Sequence, residues 1–255
     1  MIGTRLPSYT QLKLLVSIRH SSPASANLHN SQLSTLAEHW IQDCRQNHAD
    51  CTLVEGNFVP KRLIQINDKD YWRLLLPRNL APRNQIEYVA LSHCWGGSTK
   101  MLKLAKHNER QLQGRMQVKT LPTTFKEAVS ACWELGYHYL WADSLCIMQD
   151  SPADWQEQAA EMGSVYENAV LNLCMAGSAN PSGGSFRSRD ADLITPLSIT
   201  LTGHDGKETA HQLVCEEIFV GDIQHSPLRQ RGWVFQEWYL AKSSLIFGNM
   251  QLWWQ

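Results

Sequence analysis

The strongest constraint on this chain is an alternation. Three short apolar runs, "EYVALSHCW", "YHYLWADSLCI" and "AVLNLCMAG", are separated by two segments of helical pattern. A strand that is apolar at successive positions has no face to give to water and must be covered on both sides. The first helical segment, "LPTTFKEAVSACWELG", opens on Pro122, carries a Thr124–Glu127 capping pair and stops at Gly136. The second, "SPADWQEQAAEMGSVYENA", sets Trp155, Ala159, Met162 and Tyr166 along one helical stripe. This order predicts an α/β core, a mostly parallel open sheet flanked by helices.

The flanking sequence predicts additions to that core. Residues 1–33 are rich in Ser, Asn and His without periodicity, which suits a loose N-terminal segment. Over 34–86 we expect an accessory helix and hairpin. Thr35 and Glu38 form a capping pair for a helix running to about Asn47, and "KRLIQIN" and "YWRLLLP" are joined by a short polar turn. The core then spans 87–241, with 177–228 as an insertion: a mobile loop, "GSANPSGGSFRSRD", followed by a hairpin of "LSITL" and "HQLVCEEIFV" across "GHDG". Residues 242–255 begin a C-terminal β segment turning at Gly248-Asn249, and their end inside an apolar pattern predicts a longer chain.

Composition narrows the functional classes. Lys plus Arg number 23 against 24 for Asp plus Glu, a net charge of −1, with no basic run suited to nucleic acid. The N-terminal apolar patch is broken by Lys13 and Arg19, so we expect no signal peptide and no membrane span, and a cytoplasmic protein. Seven dispersed cysteines point to reduced, buried thiols. Cys44-x₃-His48-x₂-Cys51 lacks a fourth ligand for a closed zinc site, and we assign no metal. No G-x-G-x-x-G or Walker sequence is present.

One residue stands out chemically. Glu237, in "RGWVFQEWYL", is the sole acid between Asp222 and Gln255 and lies among Trp233, Phe235, Trp238 and Tyr239, where a carboxylate is destabilising unless it is partnered or used. Together with "YVALSHCWGG", "LPTTFKEAVSACWELGYHYLWADSLCIMQD" and "EMGSVYENA", this stretch resembles the HET (heterokaryon incompatibility) domain of filamentous fungi over roughly Tyr88 to Leu240. The resemblance implies a part in programmed cell death after fusion of genetically unlike hyphae, that is, in nonself recognition. It also implies distant kinship with the Toll/interleukin-1 receptor (TIR) domain, a flavodoxin-like open sheet, some relatives of which cleave NAD⁺. Those TIR enzymes carry a Trp-Cys-x-x-Glu pattern whose glutamate is catalytic. Here Trp233 and Glu237 keep that spacing, with Val234 in place of the cysteine, and Gln158 stands where relatives are often acidic.

The expected reaction is hydrolysis of the nicotinamide–ribose bond with NAD as substrate, no cofactor, and Glu237 catalytic. One carboxylate can suffice because nicotinamide leaves a cationic pyridinium as a neutral molecule, without a general acid. Candidate binding residues are Ser92, Trp95 and Gly96 after the first strand, Asp143 after the second, and Arg231 and Trp233 beside Glu237. Structural alternatives stand beside each. Glu237 suits a surface ion pair with Arg231 or Lys242, Asp143 a turn cap, and the tryptophans core packing. A non-catalytic signalling module of the same fold, acting through self-association or a partner signalling protein, is the alternative function.

Overall fold

The computed structural model describes residues 31–48, 58–77, 86–97, 101–188, 197–213 and 216–255. Residues 1–30 and Cys51 of the Cys-His-Cys pattern lie outside them. The described residues build one eight-stranded sheet, ordered β10-β9-β6-β3-β5-β1-β2-β4, and a separate two-stranded hairpin, β7-β8.

The three apolar runs are β3 (Val89–Ser92), β5 (Tyr139–Ala142) and β6 (Leu171–Cys174), and β3 pairs parallel with both of the others. A fourth parallel strand, β9 (Ser244–Phe247), joins β6. In chain order these four strands lie 2-1-3-4, so the connection direction reverses between β3 and β6. All four residues of β3, β6 and β9 are buried, as strands covered on both faces must be.

Antiparallel strands extend both edges. β1 (Leu63–Ile66) and β2 (Tyr71–Leu75) form the first expected hairpin, and β1 pairs directly with β5, so this hairpin continues the main sheet where an accessory layer was expected. The short β4 (Met116–Gln117) closes that edge, and β10 (Leu252–Trp254) closes the other against β9. The turn between β9 and β10 is held by buried Asp222, which accepts from the backbone N–H of Asn249, Met250 and Gln251 and from the Trp253 indole.

Helix α1 (Ser31–Asn47) begins earlier than Thr35, so Thr35 and Glu38 lie inside it and residues 31–33 are helical. After the short α2 (Glu109–Leu112), α3 (Thr123–Glu134) starts at Pro122 without a side-chain cap. Glu127 instead accepts from Ser185 N–H at 2.5 Å, and Gly136, at φ +79°, lies just past the helix end as expected. The strand expected through Ile147 stops at Ala142, because Asp143 accepts the Ser144 N–H at 2.7 Å and starts a helical turn, α4 (Asp143–Cys146). α5 (Pro152–Glu167) is capped by Ser151 and buries Met162 and Tyr166 of its expected stripe, whereas Trp155 is exposed and Asp154 and Gln158 are buried in that half of the helix instead.

The segment expected as a mobile loop is anchored in its described part by buried Ser178 and Ser185, with exposed residues between and after them. β7 (Leu197–Thr202) and β8 (Glu208–Leu213) pair as the second expected hairpin, but "EEIF" is helical, α6 (Glu216–Phe219). Glu237 sits on α7 (Val234–Tyr239), which packs beside α5 on one face of the sheet. The five cysteines among the described residues with free thiols are all buried. Among the described residues no helix is long and apolar enough to cross a membrane.

A buried ion pair fastens α5 to the sheet. Arg62, just before β1, donates to both Asp154 oxygens at 2.9 and 2.8 Å, and Lys61 and the Met148 N–H add to the same carboxylate. Burial alone would raise the Asp154 pKa, but the hydrogen bonds from Arg62 and Lys61 outweigh it and hold the group down to about 2. An unfolded aspartate titrates near ~3.9. The pair's contribution is therefore complete above that value and is lost as pH falls through about 2. In urea titrations we expect Asp154→Asn to cost roughly 3–5 kcal/mol at neutral pH, because Arg62 stays buried without its partner. The loss of stability between about pH 4 and about pH 2 should also be smaller in the variant than in the wild type.

Candidate functional site

At the carboxyl end of β3, neighbouring side chains go to opposite faces of the sheet. Ser92 lies on the α7 side, where its hydroxyl donates to Asn172 Oδ1 at 3.1 Å and Asn172 Nδ2 donates to the Glu237 carbonyl oxygen at 3.0 Å. His93 goes the other way, its ring edge-on to Phe125 of α3 at 4.8 Å. Trp95 then turns its indole N–H onto both oxygens of Asp143, at 3.0 and 2.9 Å, tying the end of β3 to the end of β5.

Arg231 completes the cluster from the turn that precedes α7. Its Nη2 donates to Asp143 Oδ2 at 3.0 Å, its Nη1 donates to the His93 carbonyl oxygen, and the same Nη1 lies 3.5 Å from Glu237 Oε1. Glu237 is fully buried, and neither of its carboxylate oxygens has a hydrogen-bond partner among the described residues. Burial pushes its pKa up to about 7, and the Arg231 charge works against that rise. The His93 ring is buried with both nitrogens unpartnered among the described residues, and burial takes it down to about 4, a neutral imidazole at pH 7. Two acids thus share one cation, and Asp143 receives the hydrogen bonds that Glu237 lacks.

Above this cluster lies a cavity of about 260 Å³. Three indoles, Trp95, Trp155 and Trp233, form its apolar walls, and Asp143, Gln149 and Arg231 supply its polar groups. Trp155 and Trp233 are 48 % and 44 % exposed, so their rings are available to a ligand. Lys103 adds a cation, its Nζ 4.7 Å from the centre of the Trp95 ring. The cavity sits where open α/β sheets hold ligands, beyond the carboxyl ends of parallel strands. It is smaller than the ~300–1,000 Å³ of sites that enclose a drug-sized molecule, and suits a single ring with its sugar.

Of the residues singled out from sequence, Trp95, Asp143, Arg231 and Trp233 come together on this cavity wall. Glu237 follows Trp233 by one helical turn, its N–H donating to the Trp233 carbonyl at 3.3 Å, yet its carboxylate lies behind Arg231 and does not line the cavity. Ser92 is likewise buried beneath. Gly96 adopts φ +62°, and a Cβ there would stand 2.6 Å from that of Asn180, so its bare backbone makes room for the loop after β6. Asp143 is the first residue of α4 and accepts the Ser144 N–H, but the turn has no side-chain cap, so the capping alternative is not what its carboxylate does.

Sequence reasoning assigned Trp155 to packing and passed over Gln149 and Lys103. Trp155 carried a usable signal. The helix that follows a strand starts at that strand's carboxyl end, so the first turn of α5 belongs to the site edge of the sheet. Lys103 lies in an unpatterned stretch and carried none.

A family model described as Heterokaryon incompatibility protein (HET) matches residues 88–237, more than half of the chain. No curated protein and no solved structure matches it.

His93 and Glu237 affect stability with opposite signs in overlapping pH windows. A histidine lowered to about 4 contributes stability that is lost as pH falls from the unfolded value, near ~6.5. A carboxyl raised to about 7 contributes stability that is complete below the unfolded 4.5 and is lost as pH rises through about 7. Comparing the wild type with Glu237→Gln cancels the histidine and isolates the carboxyl. Between about pH 4.5 and about pH 7.5 we expect the variant to gain stability relative to the wild type, on the order of 3 kcal/mol. Urea titrations at the two pH values measure this; equal changes in both proteins would contradict the buried acid.

Proposed function

Because the chain belongs to the heterokaryon incompatibility (HET) family, we propose that it is an effector of fungal nonself recognition and cell death that hydrolyses the nicotinamide–ribose bond of NAD⁺ in a TIR-like manner. The observation that carries this reading is a carboxylate, Glu237, buried without hydrogen bonds and paired 3.5 Å away with an arginine that lines an indole-walled cavity. An acid left in that condition costs stability and marks a functional group. The 2-1-3-4 order of the parallel strands agrees with a TIR-like, flavodoxin-like sheet, and the cavity lies at its carboxyl edge.

In this reading the pyridinium ring enters between the indoles of Trp95 and Trp233, whose faces attract a flat cation. The pyrophosphate draws Arg231 toward itself, since a guanidinium fork matches phosphate oxygens. With Arg231 displaced, Glu237 faces the ribose. The C1′–N bond breaks with its electron pair going to the ring nitrogen, so nicotinamide leaves neutral. Glu237 stabilises the ribosyl cation, and water adds to C1′ and releases a proton, giving ADP-ribose. A carboxyl with a pKa of about 7 is readily ionised by an approaching cation.

A specific observation favours the second reading, a non-catalytic signalling module. Phe235 and Tyr239 stack at 5.0 Å on the outer side of α7 and are 68 % and 76 % exposed, an apolar surface suited to association.

The two readings are separated by NAD⁺ consumption. We expect concentrated purified protein to release nicotinamide from NAD⁺, and Glu237→Ala to lose at least about a hundredfold in rate. Equal rates in the two proteins would remove Glu237 from the mechanism. Cell death with unchanged cellular NAD⁺, and undiminished by Glu237→Gln, would establish the signalling reading.

A further inference from the structure

A second cavity, of about 650 Å³, lies between α6, α7 and the β9–β10 hairpin. Arg231 lines it as well as the first cavity, so one side chain separates the two. Its walls are aromatic, and two of them are fixed in place by the protein. The Trp238 indole N–H donates to Gln255 Oε1, and the Trp253 indole N–H donates to Asp222 Oδ2 at 3.1 Å. Phe219 stands edge-on to Trp253 at 5.3 Å. Both indole donors are already satisfied; Trp238 is buried under Arg229, so the ring surface left to a ligand is that of half-buried Trp253 and exposed Phe219, held in position before it arrives.

The electrostatics are one-sided. The lining contains two guanidinium groups, Arg229 and Arg231, and no carboxylate. Arg231 is engaged by Asp143 and Glu237. Arg229 has no carboxylate partner among the described residues and lies over the Trp238 ring, 5.5 Å from its centre. A cation parked on an indole at the mouth of an aromatic cavity matches a flat ring that carries an anionic group. The volume falls within the range of about 300–1,000 Å³ that encloses molecules of nucleotide size.

We propose that this second cavity is a binding site for a nucleoside monophosphate, with the base held against Trp253 and Phe219 and the phosphate held by Arg229. The site uses neither Glu237 nor the indoles of the first cavity and meets the NAD⁺ site only at Arg231. AMP is a suitable probe because it has no nicotinamide bond to break.

In calorimetric titration of the full chain we expect saturable binding of AMP and much weaker binding of adenosine or of inorganic phosphate alone. Arg229→Ala should raise the Kd for AMP at least about tenfold, the loss of a charge-assisted contact, and Arg229→Lys should restore part of it. Arg229 is exposed, so these variants should keep the wild-type circular dichroism spectrum. Trp95→Ala, in the first cavity, should leave the Kd unchanged. The proposal is overturned if the wild type binds no AMP, if Arg229→Ala binds it equally well, or if Trp95→Ala abolishes binding. AMP binding that survives loss of NAD⁺ cleavage in Glu237→Ala keeps this site and the hydrolytic site distinct.

Discussion

One guanidinium joins the end of this molecule to its middle. Arg231 reaches from the turn before α7 to Asp143 at the end of β5, to the His93 carbonyl at the end of β3, and to Glu237 on α7 itself. Without it two carboxylates and one backbone carbonyl would have no common partner. Its single charge is divided between two acids, and the division is unequal. Asp143 also takes hydrogen bonds from the Trp95 indole and the Ser144 N–H, whereas Glu237 takes none. Environments that separate two neighbouring acids in this way assign them different roles: Asp143 organises, and Glu237 is held at a cost.

The sheet makes this inequality possible by sorting neighbours onto opposite faces. Ser92 lies toward α7 and is linked to Glu237 through Asn172, which donates to the Glu237 carbonyl. His93, one residue on, packs on Phe125 beneath the other face as a neutral ring. A charged imidazole there would add a second cation near Asp143, whose oxygen lies 3.8 Å from His93 Nδ1, and would weaken the hold of Arg231. Keeping His93 neutral leaves Arg231 as the cation that both acids share among the described residues.

Periodicity made the centre of the fold legible because it reports burial directly. The doubly apolar runs specified covered strands, and Met162 and Tyr166 of the stripe on α5 marked the helix side that faces them, while Trp155 lines the cavity. Periodicity does not report strand order, so the joining of β1 to β5 could not be read, nor could the filling of the loop after β6 against Gly96 and Glu127. The site divided along the same line. Trp95, Asp143, Arg231 and Trp233 were legible from their places at strand ends and beside a lone acid. The depth of Glu237 was not, because it depends on Arg231 lying across it, a tertiary contact without a local signature. Asp222 shows the same limit: its acceptors serve Asn249, Met250 and Gln251, far along the chain.

That depth bears on how the proposed hydrolysis can proceed. Opening a buried ion pair ordinarily leaves an uncompensated charge and costs several kcal/mol, roughly 3–5 when one partner is simply removed. The exchange pictured for NAD⁺ is different, since a pyridinium cation arrives as the guanidinium moves to phosphate. Positive charge beside Glu237 is replaced instead of lost, and the displaced arginine gains an anion of its own. Such an exchange favours a ligand that brings both a cation and a phosphate, spaced to satisfy Glu237 and Arg231 together. A neutral nucleoside brings neither, and a simple phosphate would draw Arg231 away while leaving Glu237 to take up a proton. On this physical ground the proposed hydrolysis favours a dinucleotide with a charged ring over either of its fragments, since only the whole molecule would supply a partner to both Glu237 and Arg231.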